Sequence, residues 1–396
     1  MKGKKTFLIN TAVLTITALI LRGIGLVFRV YLSNIIGAQG MGLYQLILSI
    51  YMLASTFATS GISTAVTRLC ADEMVVGSKK SVLQVLKRAV LLSLIVGLFL
   101  NFLVYVFASP ISTVFIGDAR AIPSVKILSF SLVPMGISAC FKGFFLARRK
   151  TVLPSIASIF EQFVRITFVM LLLVSLKAKD IKTACFYVLL ADVIAETSSC
   201  IFMYFATLND KKQLKVNNSN LTKRKGVVSS ILKIALPITT GRYLTSGLRT
   251  AENLLVPKCL GAFSGKLDKG LETFGILKGM AMPIIFFPSS FLQAISTLLI
   301  PEISQSAALN QKNTIRKDVE KVISITIIGS ILASGCFYIC SNKIGVAFYN
   351  SVETGILIKV LAPLVPIMYL ESVVDGILKG LNKQNSTLLY NTIDSS

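Results

Sequence analysis

The sequence predicts an all-α polytopic membrane protein, two helical lobes built from an internal repeat with the second lobe incomplete. Three observations lead there. The 396 residues are 54% hydrophobic and 15% charged, with a mean hydropathy of +0.74, whereas soluble domains are about 25% charged. Apolar runs of about 20 residues, enough to cross roughly 30 Å of hydrocarbon, recur along the whole chain. Motifs also recur in the same order on either side of a basic linker at 209–228.

In chain order, the first run, 7–32, follows Lys2, Lys4 and Lys5. It continues past the length of a signal-peptide core and no small-residue cleavage site follows, so it reads as an uncleaved span. A glycine-rich break, Gly37-Ala38-x-Gly40-x-Gly42, leads into 42–67. Runs 89–109 and 125–146 flank a polar break with Asp118 and Arg120, and 153–176 and 183–208 complete an N-terminal lobe over 1–208. The linker carries Lys211, Lys212, Lys215, Lys223, Arg224 and Lys225. It reads as a solvated loop touching anionic lipid, with no role in nucleic-acid binding. The C-terminal lobe, 229–396, holds runs 229–256, 271–300, 319–340 and 356–380, then the start of a fifth from Asn385, too short to cross. A duplicated architecture therefore predicts a truncated chain, lacking the end of an eleventh span and a twelfth.

The charge balance, 41 Lys+Arg against 18 Asp+Glu, is explained by topology. With the N-terminus inside, the inner segments gather Lys79, Lys80, Lys87 and Arg88, then Arg148, Arg149 and Lys150, then the linker and Lys312, Arg316 and Lys317. The outer segments are sparse in basic residues, which sets the N-terminus in the cytoplasm. There is no His, which removes the usual general base and the commonest metal ligand. Gly261–Leu267 is too short between its Gly and Lys for a phosphate loop and has no hydroxyl after the Lys. Seven Cys without CxxC spacing read as free, buried thiols. No cofactor and no metal are expected.

The repeat is read residue by residue. Arg22-x6-Arg29 in the first run is answered by Arg242-x6-Arg249 in the seventh, and Gly37-Ala38 by Gly261-Ala262. Ile62-Ser63-Thr64 is answered by Ile295-Ser296-Thr297, and Lys126-Ile127-Leu128 with Val133-Pro134 by Lys359-Val360-Leu361 with Val365-Pro366. Lys142-Gly143 answers Lys379-Gly380.

Charges within apolar runs cost at least about 2.5–3.5 kcal/mol each at mid-bilayer and ask for a partner or a watery cavity. Arg22 and Arg29, seven apart, lie about 20° from each other around a helix and share a face. Gly23 and Gly25 between them offer a place to bend, as Pro237 does before Arg242. If spans one and seven face each other, Arg22, Arg29, Arg242 and Arg249 converge on an anion site, suited to the bidentate grip of guanidinium on phosphate oxygens. Lys278 either joins that cationic cavity or snorkels outward. Glu161 and Arg165 form an i, i+4 pair. Asp192 and Glu196 have no basic neighbour on their own helix, so they pair with an arginine of span one or take part in ion coupling.

Arg22-Gly23-x-Gly25 with Arg29, Ile36-Gly37-Ala38-x-Gly40-x-Gly42-Leu43-Tyr44, Gly61-Ile62-Ser63-x-Ala65-Val66-x-Arg68, and Gly279-Met280-Ala281-x-Pro283 through Leu298-Leu299-x-Pro301-Glu302-Ile303-Ser304 resemble the stage V sporulation protein B branch of the polysaccharide transporters. That branch belongs to the MOP superfamily, with the MurJ-type lipid II flippases. The resemblance implies a MATE-like fold of two six-helix lobes and alternating access that carries an undecaprenyl-pyrophosphate-linked sugar outward, Arg22 and Arg29 matching cavity arginines. MurJ-type proteins follow the second arginine with Asp, where this chain has Val30, and place further arginines where it has Ser55-Thr56 and Met282-Pro283.

The sequence thus reads as an inner-membrane flippase or exporter of a lipid-linked cell-wall precursor, plausibly for spore cortex peptidoglycan, and not an enzyme. Its partners are expected to be the pyrophosphate head of a lipid-linked oligosaccharide and the bilayer, with no nucleic acid and the chain a monomer. The alternative is a MATE-type drug or cation antiporter, for which Asp192 and Glu196 are the best support. A membrane glycosyltransferase would want a large outer loop with catalytic carboxylates, and the outer segments are short, with Asp118, Asp180, Asp268 and Glu353 scattered among them.

Overall fold

A computed structural model of the chain describes residues 2–59, 61–76, 79–176, 180–212, 226–294 and 311–380. The core of the basic linker, Ile295-Ser296-Thr297, Pro301 to Ser304, Lys177, Lys179 and the segment from Asn385 lie outside the described residues. What is described is helical, with no strand among the described residues. The long elements are α1 (Lys2–Thr59), α2 (Ile62–Val76), α3 (Lys79–Val106), α4 (Ile122–Ser129), α5 (Leu132–Ala147), α6 (Val152–Ser175), α7 (Ile181–Lys212) and α8 (Val227–Ser264). They continue with α9 (Asp268–Ala294), α10 (Lys312–Tyr349), α11 (Val352–Leu361) and α12 (Val365–Gly380).

Among the described residues, seven helices are long and apolar enough to cross a membrane, or eight if the bent pair α4–α5 is one span. One of them, Asn10–Val75, is 66 residues long and takes in nearly all of the expected run 7–32 and the whole of 42–67, room for two crossings at about 20 residues each. The expected break between those runs narrows to a single residue, Gly37, where two helices meet at φ 70°, ψ 178°, a conformation only glycine adopts easily. A second break falls inside the second run, at Gly61 (φ 75°). The helix is regular through Gly23 and Gly25, so the bend expected there is displaced to Gly37. In α8 the apolar stretch is Val227–Pro237, itself interrupted by Ser229, Ser230 and Lys233. The rest is diluted by Thr239, Thr240, Arg242, Thr245, Ser246 and Arg249.

The helices gather into two compact units whose membership differs from consecutive lobes at 1–208 and 229–396. The first takes Met1–Leu14 with Leu46–Leu254, and the second takes Thr15–Gln45 with Leu255–Ser396. Each contains the opening span of the other half of the chain. In lipid there is little hydrophobic drive between helices, so close approach of small residues does the packing. In the first unit a Cβ on Gly143 would lie 2.6 Å from the Ser63 carbonyl oxygen, and one on Gly61 would lie 2.7 Å from that of Ala235. Around these contacts Ala65, Val66, Leu69, Cys70, Val85, Leu86, Phe141, Phe144, Phe145 and Ile231 form a buried core. In the second unit Gly42 and Gly275 serve the same end: a Cβ on Gly275 would sit 1.9 Å from the Ala38 carbonyl oxygen, and one on Gly42 would sit 2.1 Å from that of Leu271.

The repeat is visible in local detail. Lys126 stands 5.3 Å over the Tyr105 ring, and Lys359 stands 5.2 Å over the Tyr338 ring. Before each Lys-bearing helix the chain passes through a left-handed residue, Gly117 (φ 81°) or Asn350 (φ 49°). A side-chain N-cap follows each: Asp118 accepts from the Arg120 N–H and Ser351 from the Thr354 N–H. The Ser129 hydroxyl donates to Asn101 Oδ1 at 2.7 Å, and in the second half the Ser334 hydroxyl donates to the Ala362 carbonyl at 2.8 Å. All seven cysteines are free, as expected, but not all are buried. Cys70, Cys140 and Cys185 are buried, whereas Cys259 and Cys336 face outward.

Candidate substrate-binding cavity

The spacing of Arg22 and Arg29 puts both on one face of α1, and that face lines a cavity of about 410 Å³ in the second unit. Leu21, Gly25 and Leu26 of α1 line it too, with Pro283, Phe286, Phe287, Ser289, Ser290 and Gln293 of α9 opposite. Gly25 keeps this wall open, since a Cβ there would meet nothing within 4 Å. Prolines 283 and 288 and a π-helical turn over Gly275–Ala281 interrupt the regular register of α9, and π turns of this kind are frequent at functional sites.

The two arginines differ in their surroundings. Arg22 Nη1 donates to the Ser290 hydroxyl at 2.8 Å, and Nη2 donates to Gln293 Oε1 at 2.6 Å. The Gln293 amide in turn donates to the Ser372 hydroxyl of α12. Arg29 is half-buried and, among the described residues, makes no ion pair. No carboxylate lines the cavity among the described residues, and its polar lining consists of two guanidiniums, two hydroxyls and an amide. Such a lining can receive an anion through charge-assisted hydrogen bonds, with Leu21, Leu26, Phe286 and Phe287 as an apolar wall.

The other expected cations are elsewhere. Lys278 lies in the π-helical turn, half-buried, and is not among the cavity-lining residues. Arg242 and Arg249 are exposed on the part of α8 that belongs to the first unit. Beside them the Tyr243 ring stacks on Phe57 at 4.1 Å, and the Thr250 hydroxyl donates to the Ser49 carbonyl at 3.2 Å.

Asp192 pairs with Arg165 of α6 at 2.5 Å, a partner other than the span-one arginine expected from sequence. Arg165 also bonds Glu161 at 3.1 Å, the expected i, i+4 pair, and Gln162 at 2.7 Å, while Lys142 approaches Glu161 at 3.8 Å. Glu196, 8% exposed, belongs to the same group. The sequence reading missed Ser289, Ser290, Gln293 and Ser372. The signal was there: Ser289-Ser290-x-x-Gln293 places three polar residues within five positions of an apolar run just after Pro288.

Comparison with known proteins agrees with this architecture. A family model described as polysaccharide biosynthesis protein matches residues 7–307. The chain is 22% identical to stage V sporulation protein B of Bacillus subtilis over 394 residues, 99% of this chain and 76% of that protein. It is 23% identical to the lipid II flippase MurJ of Bacillus subtilis over 410 residues, 95% of this chain and 73% of that protein. Among solved structures, an inward-facing MATE family multidrug resistance transporter of the MOP superfamily superposes with a TM-score of 0.73 at 12% identity, over 96% of this chain and 88% of the other. A second MOP superfamily transporter, from Pyrococcus furiosus, superposes with a TM-score of 0.65 at 12% identity, over 97% of this chain and 85% of the other. With a family match over most of its length and a MATE-like fold, this multi-pass membrane chain belongs to the polysaccharide biosynthesis protein family.

Proposed function

We propose that this protein is a flippase that moves an undecaprenyl-pyrophosphate-linked cell-wall precursor outward across the bacterial inner membrane by alternating access, its N-terminus cytoplasmic. No bond is made or broken in this reading, so it is a transporter and not an enzyme. The observation that carries it is the cavity shared by Arg22 and Arg29 with no acidic residue in its described lining. An organic cation would find repulsion there, whereas a diphosphate finds two guanidiniums. The same lack of acids weighs against a drug or cation antiporter. The likeness to stage V sporulation protein B and to a lipid II flippase supports a lipid-linked precursor as cargo, plausibly one for spore cortex peptidoglycan. Arg242 and Arg249, at matching repeat positions in the first unit, are proposed as further anion-binding residues. Asp192 and Glu196 are proposed to take part in ion coupling, because half-buried Glu161 with buried Asp192 and Glu196 outnumber the cations Lys142 and Arg165 beside them.

Native mass spectrometry of the detergent-purified protein with lipid II, undecaprenyl phosphate and an organic cation tests the reading. Selective retention of lipid II, lowered at least about tenfold by Arg22→Ala and by Arg29→Ala, is expected, tenfold corresponding to 1.4 kcal/mol. Retention of the cation in place of lipid II would turn the assignment to an antiporter.

A further inference from the structure

We infer that Gln293 and Ser372 form an uncharged clamp that aims Arg22 while leaving its charge uncancelled, and so set the preference of the cavity for a diphosphate over a monophosphate. This rests on the reading of the cavity as a diphosphate site. An arginine inside a membrane protein ordinarily takes a carboxylate partner. Both described hydrogen bonds of Arg22 go instead to neutral groups, Ser290 Oγ and Gln293 Oε1. A carboxylate at either place would supply the same geometry and cancel the charge.

The amide of Gln293 has a donor end and an acceptor end, and only the acceptor end is compatible with a guanidinium. Its NH2 group donates to the Ser372 hydroxyl on α12. The bond to Ser372 therefore favours the turn of the amide that presents Oε1 to Arg22, and that oxygen with the Ser290 hydroxyl sets where Arg22 points. Guanidinium has five N–H donors. Holding one edge through Ser290 and Gln293 leaves the remaining N–H groups to the cavity, where Arg29 contributes a second positive charge. Two uncancelled charges favour a ligand of higher negative charge more strongly than one does. The clamp is thus a positioning device, with no contact to the ligand required of Ser372.

The test measures retention of undecaprenyl diphosphate and undecaprenyl monophosphate by native mass spectrometry for the full chain and for Gln293→Glu, Ser372→Ala, Arg22→Ala and Arg29→Ala, with thermal unfolding recorded for each. Gln293→Glu keeps the side chain's shape and places a carboxylate against Arg22. Its unfolding temperature should be unchanged or raised, while diphosphate retention falls about as far as in Arg22→Ala, at least about tenfold, and the diphosphate-to-monophosphate ratio falls with it. Ser372→Ala removes the bond that orients the amide and should weaken the diphosphate about threefold or more, leaving the monophosphate less affected. Unchanged retention and ratio in Gln293→Glu would overturn the clamp even where both arginine variants lose binding. So would a parallel loss of both lipids with a lowered unfolding temperature, the mark of a purely structural role. Unchanged binding in both arginine variants would instead remove the diphosphate reading itself, and the clamp with it.

Discussion

Arg22 and Arg165 show how differently the same residue type is used in this molecule. Arg22 is held by a hydroxyl and an amide and keeps its charge, whereas Arg165 is surrounded by Glu161, Gln162 and Asp192. Breaking a buried ion pair by removing one partner leaves the other charge uncompensated, at a cost of about 3–5 kcal/mol. Arg165→Ala should therefore lower the stability of the detergent-solubilised protein by about 3 kcal/mol, read as a drop in unfolding temperature, since Arg165 keeps 23% of its side chain exposed. Arg165→Lys should recover only part of that, because a point charge cannot bond several partners at once as the fork does. Arg22→Ala should leave stability nearly unchanged and affect binding instead. Gly25→Leu, projecting into open space in the cavity, should leave the fold intact and reduce lipid II retention by about tenfold or more through lost volume. Unaltered retention would mean that the ligand does not enter this cavity.

At the scale of the element, the glycines of α1 divide into two kinds that sequence alone does not separate. Gly37 is required by its backbone angles, and Gly42 is required by the α9 backbone against it. Gly23 and Gly25 are helical and meet no neighbour. Gly275→Ala would drive a methyl group into the Ala38 carbonyl oxygen, and separating the two backbones should cost at least about 2 kcal/mol. Gly23→Ala, by contrast, should be neutral or stabilise by up to about 1 kcal/mol through helix propensity. Thermal unfolding of the two single variants side by side checks the contrast, and equal destabilisation would mean that α1 and α9 do not approach as described. The motif Gly37-Ala38-x-Gly40-x-Gly42 was legible as a break, but its use as a packing surface depends on α9, more than two hundred residues away in the chain.

At the scale of the whole molecule, the duplication is written in matching polar details that simple span counting overlooks. The Lys126–Tyr105 and Lys359–Tyr338 contacts occur at equal sequence separation in the two halves, each behind a left-handed residue and an N-cap. A cation–π contact at such an exposed site is worth about 0.5–1 kcal/mol. Tyr105→Leu and Tyr338→Leu should each cost about that much in stability and, sharing no partner, should add in the double variant. A large coupling between them would show that the two sites are not energetically independent.

By itself the sequence determined the class of fold, because the number and length of apolar runs leave a bilayer-spanning helical protein as the physical outcome. It also determined the duplication and the placement of Arg22 and Arg29 on one face, since helical periodicity follows from spacing alone. Only the tertiary structure decided which helices keep company, assigning Thr15–Gln45 to the unit of α9 to α12. It likewise gave Arg165 to Asp192, and Ser290 and Gln293 to Arg22. The reason is common to all three: a polar side chain in a membrane helix must find a partner, but the spacing of residues along one helix does not reveal which other helix will bring that partner within hydrogen-bonding distance.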